Sequence, residues 1–438
     1  MSIKNNLLNK KSKIAVWGTG YIGFSTMVYF SKKGVCCKGY DIDKKKVKKI
    51  NDQKLIIPEL KKWFNFDIKK LVKNKTLSAT NDYNDFLKSD YDVHFIAIPT
   101  EKNGKPYFKI LFRTLSNISE LIKNKKKKTV IIIESTLTPK FTKKFILPYL
   151  EKLGLDGNNY ILGVAPRRDW FVANTKTIEN LDRVIGSKNK KEGNIIKQIL
   201  SIVCKKIHVA KNYSISEMVK SIENAYRHME ITLANQLSIA YKDYDMKEVL
   251  NLVGTKWNIG TFSPGFGTGG YCIPLSSQYV LREIKDKNKL TLLRETIKTD
   301  QNINILIAKS IIKKKYKSVA VLGLSYKGNL KVDILSPVIP FVKKLIKKKI
   351  KVNLYDPFYS SKEIKKITGL NSFKYPQDLK KFECIVLSVD HDFFRKDFFN
   401  TKKFLNNSKF ILDNMGIWKN FRMPKNIKYK VSGEENWI

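Results

Sequence analysis

Cys272 is preceded by Gly265, Gly267, Gly269 and Gly270 in the stretch Phe-Ser-Pro-Gly-Phe-Gly-Thr-Gly-Gly-Tyr-Cys-Ile-Pro-Leu-Ser, residues 262–276. Glycines strip side chains from one side of a backbone, so a ligand can approach closely and positive φ angles are open to the chain. A thiol at the end of such a loop has the makings of a nucleophile. Exposed backbone N–H groups beside it would help to hold a thiolate or an oxyanion. The same residues also fit a tight turn followed by an inert, buried cysteine, so the surrounding elements have to decide.

Upstream, residues 214–244 contain neither Gly nor Pro. Their spacing predicts a long helix with Ser216 as N-cap and with Met218, Ile222, Ala225, Met229 and Leu233 on one side. Lys220 and Asn224 are four apart, so their side chains leave the helix from the same face. Such a pair is ordinarily solvated, and it becomes chemical only if the cysteine loop folds back onto this helix. A second long helix is predicted over 288–314.

Near the amino terminus, the apolar run 13–17 leads into Gly18-Thr-Gly20-Tyr21-Ile22-Gly23 and then a helical stretch to Lys33. The next strand, 35–40, ends at Asp41. This is a dinucleotide fingerprint in its required setting. The first glycine makes the tight turn, the second admits a pyrophosphate, the third lets helix pack on strand, and the acid meets ribose hydroxyls. The Asp41 carboxylate favours NAD over NADP, whose 2′-phosphate would face a like charge.

Further strands are expected at 93–98, 129–134, 160–165 and 206–209, with helical intervals such as 139–153. That alternation predicts a parallel, doubly wound sheet. Thr100 and Thr136 follow two of these strands, at the edge where ligands bind in such sheets; each also reads as an ordinary loop start. The last third restarts the pattern, with strands at 318–324, 351–355, 384–389 and 410–412 and a helix at 338–348. The fold class is therefore α/β, with two Rossmann-like doubly wound domains joined by a long-helix central region. Boundaries near 211 and 300 give domains 1–211, 212–300 and 301–438.

Composition narrows the function classes. The net charge is +45, and only nine of the 84 basic residues are arginine. Lysine is spread along the whole chain together with Asn and Ile, residues whose codons are A/T-rich, so gene base composition explains the bias. Arginine is the residue suited to bidentate phosphate and base contacts, and its scarcity argues against specific nucleic-acid recognition. A nucleotide substrate would still be drawn in by the field. The five cysteines show no metal-ligand spacing or disulfide framework. No apolar run approaches a membrane span, and the start lacks a signal-peptide core, so a cytoplasmic protein away from the membrane is expected.

Taken together, the motifs resemble the nucleotide-sugar dehydrogenases, the family of UDP-glucose, GDP-mannose and UDP-N-acetylhexosamine 6-dehydrogenases. Gly18–Gly23, Ile98-Pro-Thr100, Glu134-Ser-Thr136, Lys220-Ser-Ile-Glu-Asn224, Gly269-Gly-Tyr-Cys-Ile-Pro274, Gly323-Leu-Ser-Tyr-Lys327, Tyr355-Asp-Pro357 and Asp390-His391 occur in the family's order. The resemblance implies an NAD domain, a helical dimer core and a C-terminal domain that holds the nucleoside diphosphate. It also implies two successive oxidations of the sugar C6 alcohol, with Cys272 carrying a thiohemiacetal and then a thioester. Lys220 and Asn224 match residues that stabilise the oxyanions, and Thr136 matches one that positions water. Gly18, Gly20, Tyr21, Ile22, Gly23, Asp41, Thr100 and Lys327 are expected at the cofactor. Arg167, Lys220, Asn224, Phe266, Gly267, Gly269 and Lys327 are expected at the UDP-sugar.

Three positions depart from the family pattern. Arg167 stands where a glutamate follows proline, Ser276 where an aspartate follows the Cys-Ile-Pro, and Ile334 where an arginine precedes Glu-Ser-Pro. The first two remove carboxylates linked to proton transfer and water activation; Asp169 is a candidate replacement. Two alternatives therefore stand beside the uronic-acid-forming enzyme: an inactive or single-oxidation relative that binds nucleotide sugars, and a basic polyanion-binding protein on a reused dehydrogenase fold.

Overall fold

The computed structural model describes residues 2–56, 60, 61, 63, 64, 66–102, 104–169 and 175–438. The chain forms two compact units, Met1–Ser221 and Ile222–Ile438.

The first unit is built on an eight-stranded sheet among the described residues, in the order β8-β7-β6-β5-β4-β1-β2-β3. Its strands are β1 (Ile14–Trp17), β2 (Cys37–Tyr40), β3 (Leu77–Thr80), β4 (Val93–Ile96), β5 (Thr129–Ile133), β6 (Tyr160–Val164), β7 (Arg183–Ser187) and β8 (Ile207–Val209). Every residue of β1, β4 and β5 is buried, as expected for strands covered on both faces. Each large apolar side chain removed from water contributes ~1.5–3 kcal/mol, and these strands pack into the two core clusters of the unit.

Register then places the chemistry. Trp17 pairs with Tyr40 and Ile96, and Ile96 with Ile133, all in parallel. The strand ends are therefore level, and Gly18, Asp41, Ala97 and Glu134 emerge along one edge.

Most of the sheet is parallel as predicted, but β6 and β7 run antiparallel. A parallel return needs a long crossover, normally helical, and the described part of the 165–182 connection contains no helix. Strands β3 and β7 were not expected from the sequence: Leu-Ser-Ala-Thr is barely apolar, and Arg-Val-Ile-Gly-Ser mixes a charge with a glycine. The expected helix over 139–153 opens as a π-helical turn at Thr142–Ile146 before the α-helix Leu147–Lys152.

Helix α1 (Tyr21–Lys32) follows β1, and α2 (Tyr213–Ala240) leads from the first unit into the second. The helix starts earlier than Ser216, which lies inside its first turns with Oγ donating to the Val164 carbonyl at 2.9 Å instead of capping the end. The predicted apolar face also differs. Ala225 is buried, but Leu233 is 55% exposed. In the second unit the buried stripe of α2 is polar, made of Asn224, His228, Thr232, Asn235 and Ser238 at three- and four-residue spacing.

The second unit continues through α3 (Cys272–Glu283) and α4 (Thr291–Lys313) into a five-stranded parallel sheet. Its strands β9 (Ser318–Leu322), β10 (Lys351–Tyr355), β11 (Cys384–Leu387), β12 (Phe410–Asp413) and β13 (Lys428–Val431) lie in the order β10-β9-β11-β12-β13. The edge strand β13, with its Lys-Tyr-Lys-Val alternation, was not anticipated. Leu322 pairs with Tyr355 and Leu387, and Leu387 with Asp413, so Gly323, Asp356, Ser388 and Asn414 share one edge. No described helix is long and apolar enough to cross a membrane, and no metal-binding cluster of His, Cys, Asp or Glu occurs among the described residues.

Candidate active site

In the first unit, the loop between β1 and α1 has the shape a dinucleotide requires. Gly18 has φ +87°, and a Cβ there would lie 2.6 Å from the Ala97 carbonyl oxygen. A Cβ on Gly23 would come within 1.9 Å of the Gly18 carbonyl oxygen, whereas Gly20 faces open space. Gly20 is the N-cap of α1 and supplies no side-chain cap, so the helix's first amides are available to an anion. These residues fit the pyrophosphate of NAD.

Asp41 directly follows β2 and is already engaged in shaping the loop: Oδ2 accepts from the Thr19 amide at 2.7 Å and its hydroxyl at 2.9 Å. Thr100 donates its hydroxyl to the Thr136 carbonyl at 2.7 Å, tying together the loops after β4 and β5. Tyr21 and Ile22 open α1, and Lys220 is half-buried on α2.

Arg167 points into this unit. Its guanidinium donates to the Ile22 carbonyl, to the hydroxyls of Thr26 and Ser25, and to Asp169. It also lies 3.6 Å from Glu134. Glu134 in turn accepts from Thr26 at 2.5 Å and pairs with Arg183. All four charged side chains are at most 3% exposed. Burial works against the Arg167 charge, but Asp169 and Glu134 outweigh it and push its pKa up. The residue expected to touch substrate is thus the centre of a neutral, buried ion group under α1.

Another buried carboxyl, Glu217, accepts from the Thr142 amide at 2.8 Å and from its hydroxyl through Oε1, while Oε2 has no hydrogen-bond partner. Burial pushes it up to about 7 despite the Thr142 bonds.

In the second unit, Cys272 is exposed and is the first residue of α3, where unpaired amides and the helix dipole favour negative charge. Asn224 donates its amide to Ser276 Oγ at 2.9 Å, and Ser276 donates to the Cys272 carbonyl at 2.6 Å. One turn further along α2, His228 Nδ1 lies 2.9 Å from Ser277 Oγ.

The glycine loop is held at several points. The Gly265 amide donates to Asn235 Oδ1 at 2.6 Å, the Thr268 amide to Asp300 Oδ1 at 2.9 Å, and the Gly270 amide to the Ile334 carbonyl at 2.9 Å. The Tyr326 side chain covers both glycines so closely that a Cβ on Gly269 would fall 2.4 Å from the Tyr326 Cβ and one on Gly270 would fall 2.7 Å from its ring. Burial pushes the Tyr326 phenol up, and Cys272 adds to the effect. Gly267 and Gly269 lie within this clasp. Phe266, expected at the substrate, turns its ring into the core against Phe341, with centroids 5.1 Å apart, and is 2% exposed.

Lys327 follows at the carboxyl edge of the second sheet, where burial pushes its ammonium down against the pull of Asp390. His391 Nε2 meets Asp356 Oδ2 at 3.1 Å, and the same oxygen accepts from the Leu324 amide at 2.7 Å. Asp390 accepts from the Gly328 amide at 3.1 Å. These bonds fix the loop that carries Tyr326 and Lys327.

Three models of one family match consecutive parts of the chain: the NAD binding domain over residues 12–203, the central domain over 214–304 and the UDP binding domain over 320–420. The chain belongs to the UDP-glucose/GDP-mannose dehydrogenase family. It is accordingly an NAD-dependent nucleotide-sugar dehydrogenase. It is 28% identical over 411 residues to Protein CapL of Staphylococcus aureus, covering 89% of this chain and 91% of that protein. It is 28% identical over 398 residues to the UDP-N-acetyl-D-mannosamine dehydrogenase of Pyrococcus horikoshii, covering 87% and 90%. The solved UDP-D-ManNAc dehydrogenase of Pyrococcus horikoshii superposes with a TM-score of 0.82 at 26% identity, covering 97% of this chain and all of that one.

His228, Asp300, Thr268, Ser277 and Tyr326 were missed as site residues in the sequence. His228 was within reach, being four residues after Asn224 on the same helix. Asp300 comes from another helix, and nothing in its local spacing points to the loop.

Proposed function

We propose that this dehydrogenase oxidises the C6 alcohol of a UDP-N-acetylhexosamine to the acid in two steps through a covalent intermediate on Cys272. The observation that carries the reading is Cys272 exposed at the head of α3 and joined through Ser276 to Asn224. NAD, when bound on the Gly18–Gly23 loop with Asp41 toward the ribose, supplies the hydride acceptor for each oxidation.

Cys272 adds to the C6 aldehyde to give a thiohemiacetal, which is oxidised to a thioester that water cleaves to acid and free thiol. Asn224 and Lys220 steady the successive oxyanions, and Thr136 orients the water. Lys327 and the backbone at Gly267 and Gly269 hold the nucleotide sugar. Arg167 is assigned no substrate contact, because its side chain is buried and both terminal guanidinium nitrogens are engaged by Asp169, Ser25, Thr26 and the Ile22 carbonyl. The acetamido-sugar assignment rests on the Cys-Ile-Pro sequence and on the mannosamine dehydrogenase named above.

The working division is an NAD domain at 1–211, a helical core at 212–300 and a sugar-nucleotide domain at 301–438. A second copy of the chain is proposed to cover the exposed apolar side chains of the central helices, Tyr226, Leu233, Tyr241, Tyr244, Leu252 and Trp257, the last 91% exposed. Light scattering should give a homodimer, and a monomer at assay concentration would refute that part.

NADH formation with a panel of UDP- and GDP-sugars tests the reaction. Turnover should be fastest with UDP-N-acetylhexosamines and absent in Cys272→Ala after the first equivalent. Preference for UDP-glucose or GDP-mannose would reject the sugar assignment.

A further inference from the structure

We propose that His228 is a positioning residue that locks the helix bearing Cys272 to the glycine loop before it; the inference rests on the reaction proposed above. Its imidazole lies between two elements that must stay in register. Nδ1 is 2.9 Å from Ser277 Oγ on α3. Nε2 is 3.2 Å from Asp300 Oδ2, an ion-pair distance outside hydrogen-bond alignment. Asp300, from α4, accepts from the Thr268 hydroxyl at 2.6 Å and from its amide at 2.9 Å. Gly267 packs so near that a Cβ there would sit 3.2 Å from Asp300 Oδ1.

The path therefore runs from Ser277, five residues after the cysteine, through His228 and Asp300 to Thr268, four residues before it. Ser277 is fully buried, His228 is 2% exposed and Asp300 is 6% exposed. Away from water each of these contacts is stronger, and each group left without its partner is costly.

Asn224 makes the matching contact one turn earlier, to Ser276. Two α2 residues four apart thus grip two consecutive serines of α3. The Asn224 contact fixes the carbonyl of Cys272 itself, and the His228 contact couples that helix to the loop. Because a displacement of ~1 Å at the reacting atoms can cost ~10²-fold in rate, slack between loop and helix would appear in catalysis before it appears in binding. His228 is not placed to touch substrate. It acts through Asp300 and Ser277.

The test compares wild type with His228→Ala, His228→Gln and Ser277→Ala in the full-length protein. Hydrogen exchange at Thr268 and Gly270 is read without substrate, and kcat and KM are read with NAD and a UDP-N-acetylhexosamine. In His228→Ala the two amides should exchange about tenfold faster, and kcat should fall about tenfold with KM for NAD within about twofold. His228→Gln, whose amide still reaches toward Asp300, should recover part of both changes. If His228→Ala fails to fold, Ser277→Ala carries the comparison with a smaller change of the same sign.

Unchanged exchange overturns the proposal. So does faster exchange with unaltered kcat, or a rise in KM for NAD that matches the loss of kcat. If the wild type reduces no NAD with any nucleotide sugar, the proposed reaction fails, while the exchange comparison still decides whether His228 holds loop to helix.

Discussion

Replacing Arg167 by glutamate restores the side chain that the family pattern carries at this position, and it should damage the protein without improving it. In the wild type, Arg167 and Arg183 balance Glu134 and Asp169 within one buried group. Arg167→Glu would leave three carboxylates facing a single guanidinium, with Ser25, Thr26 and the Ile22 carbonyl losing their donor. Breaking a buried pair by removing one partner costs ~3–5 kcal/mol. For a domain of roughly 150–250 residues, each kcal/mol lowers the midpoint by ~2–4 °C, so a fall of about 6–20 °C is expected. Thermal unfolding of the full-length protein measures this, and steady-state NADH formation at 25 °C measures whether hydrolysis has quickened. A variant as stable as wild type with faster turnover would refute the reasoning, since it would mean that residue 167 faces the reacting sugar and not α1.

Glu217→Gln should change how stability depends on pH. The native carboxyl lies at about 7 against an ordinary 4.5, so between these values the folded state holds the extra proton and wild-type stability falls as pH rises, by up to about 3 kcal/mol. Urea midpoints at pH 5 and 8 should differ in wild type and nearly coincide in Glu217→Gln, and parallel curves would reject the assignment. Asp41→Ala should weaken NAD binding measured by calorimetry and narrow its preference over NADP; tighter NADP binding by the wild type would reverse the cofactor argument. Association with nucleic acid should be weak, indifferent to sequence and lost steeply with salt, and a sequence-selective gel shift at ~0.15 M salt would contradict it.

Much of the architecture was legible because it rests on local patterns: Ile-Ala-Val-Trp before a glycine fingerprint and Thr-Val-Ile-Ile-Ile before Glu-Ser-Thr read as buried parallel strands. Strand β3 and edge strand β13 did not, since their pairing depends on neighbours more than on their own composition. The α2 face was misread for a related reason. Apolar periodicity assumes that the buried side is apolar, whereas in the second unit this helix buries Asn224, His228, Thr232, Asn235 and Ser238 and exposes Tyr226 and Leu233. The motif residues around Cys272 were visible from type and spacing, but their partners His228 and Asp300 lie 44 and 28 residues away in sequence. Arg167 marks the opposite limit: the sequence shows a carboxylate replaced by a cation, and only the packing shows the counter-charges Glu134 and Asp169, shared with Arg183, around it.

The most direct test of the covalent chemistry is rapid mixing of enzyme with excess NAD and a UDP-N-acetylhexosamine, following NADH and intact mass together. In the proposed mechanism Cys272 and Asn224 serve thioester formation, whereas Ser276 is tied to Asn224 and to the Cys272 carbonyl, and Arg167 to its ion group. Neither supplies the general base whose help is ordinarily worth ~10²–10⁴-fold. Hydrolysis should therefore be the slow step, giving a burst of NADH, a mass adduct that is absent in Cys272→Ser, and finally two NADH per sugar. Linear NADH from time zero without an adduct, or one NADH per sugar with free aldehyde accumulating, would contradict it.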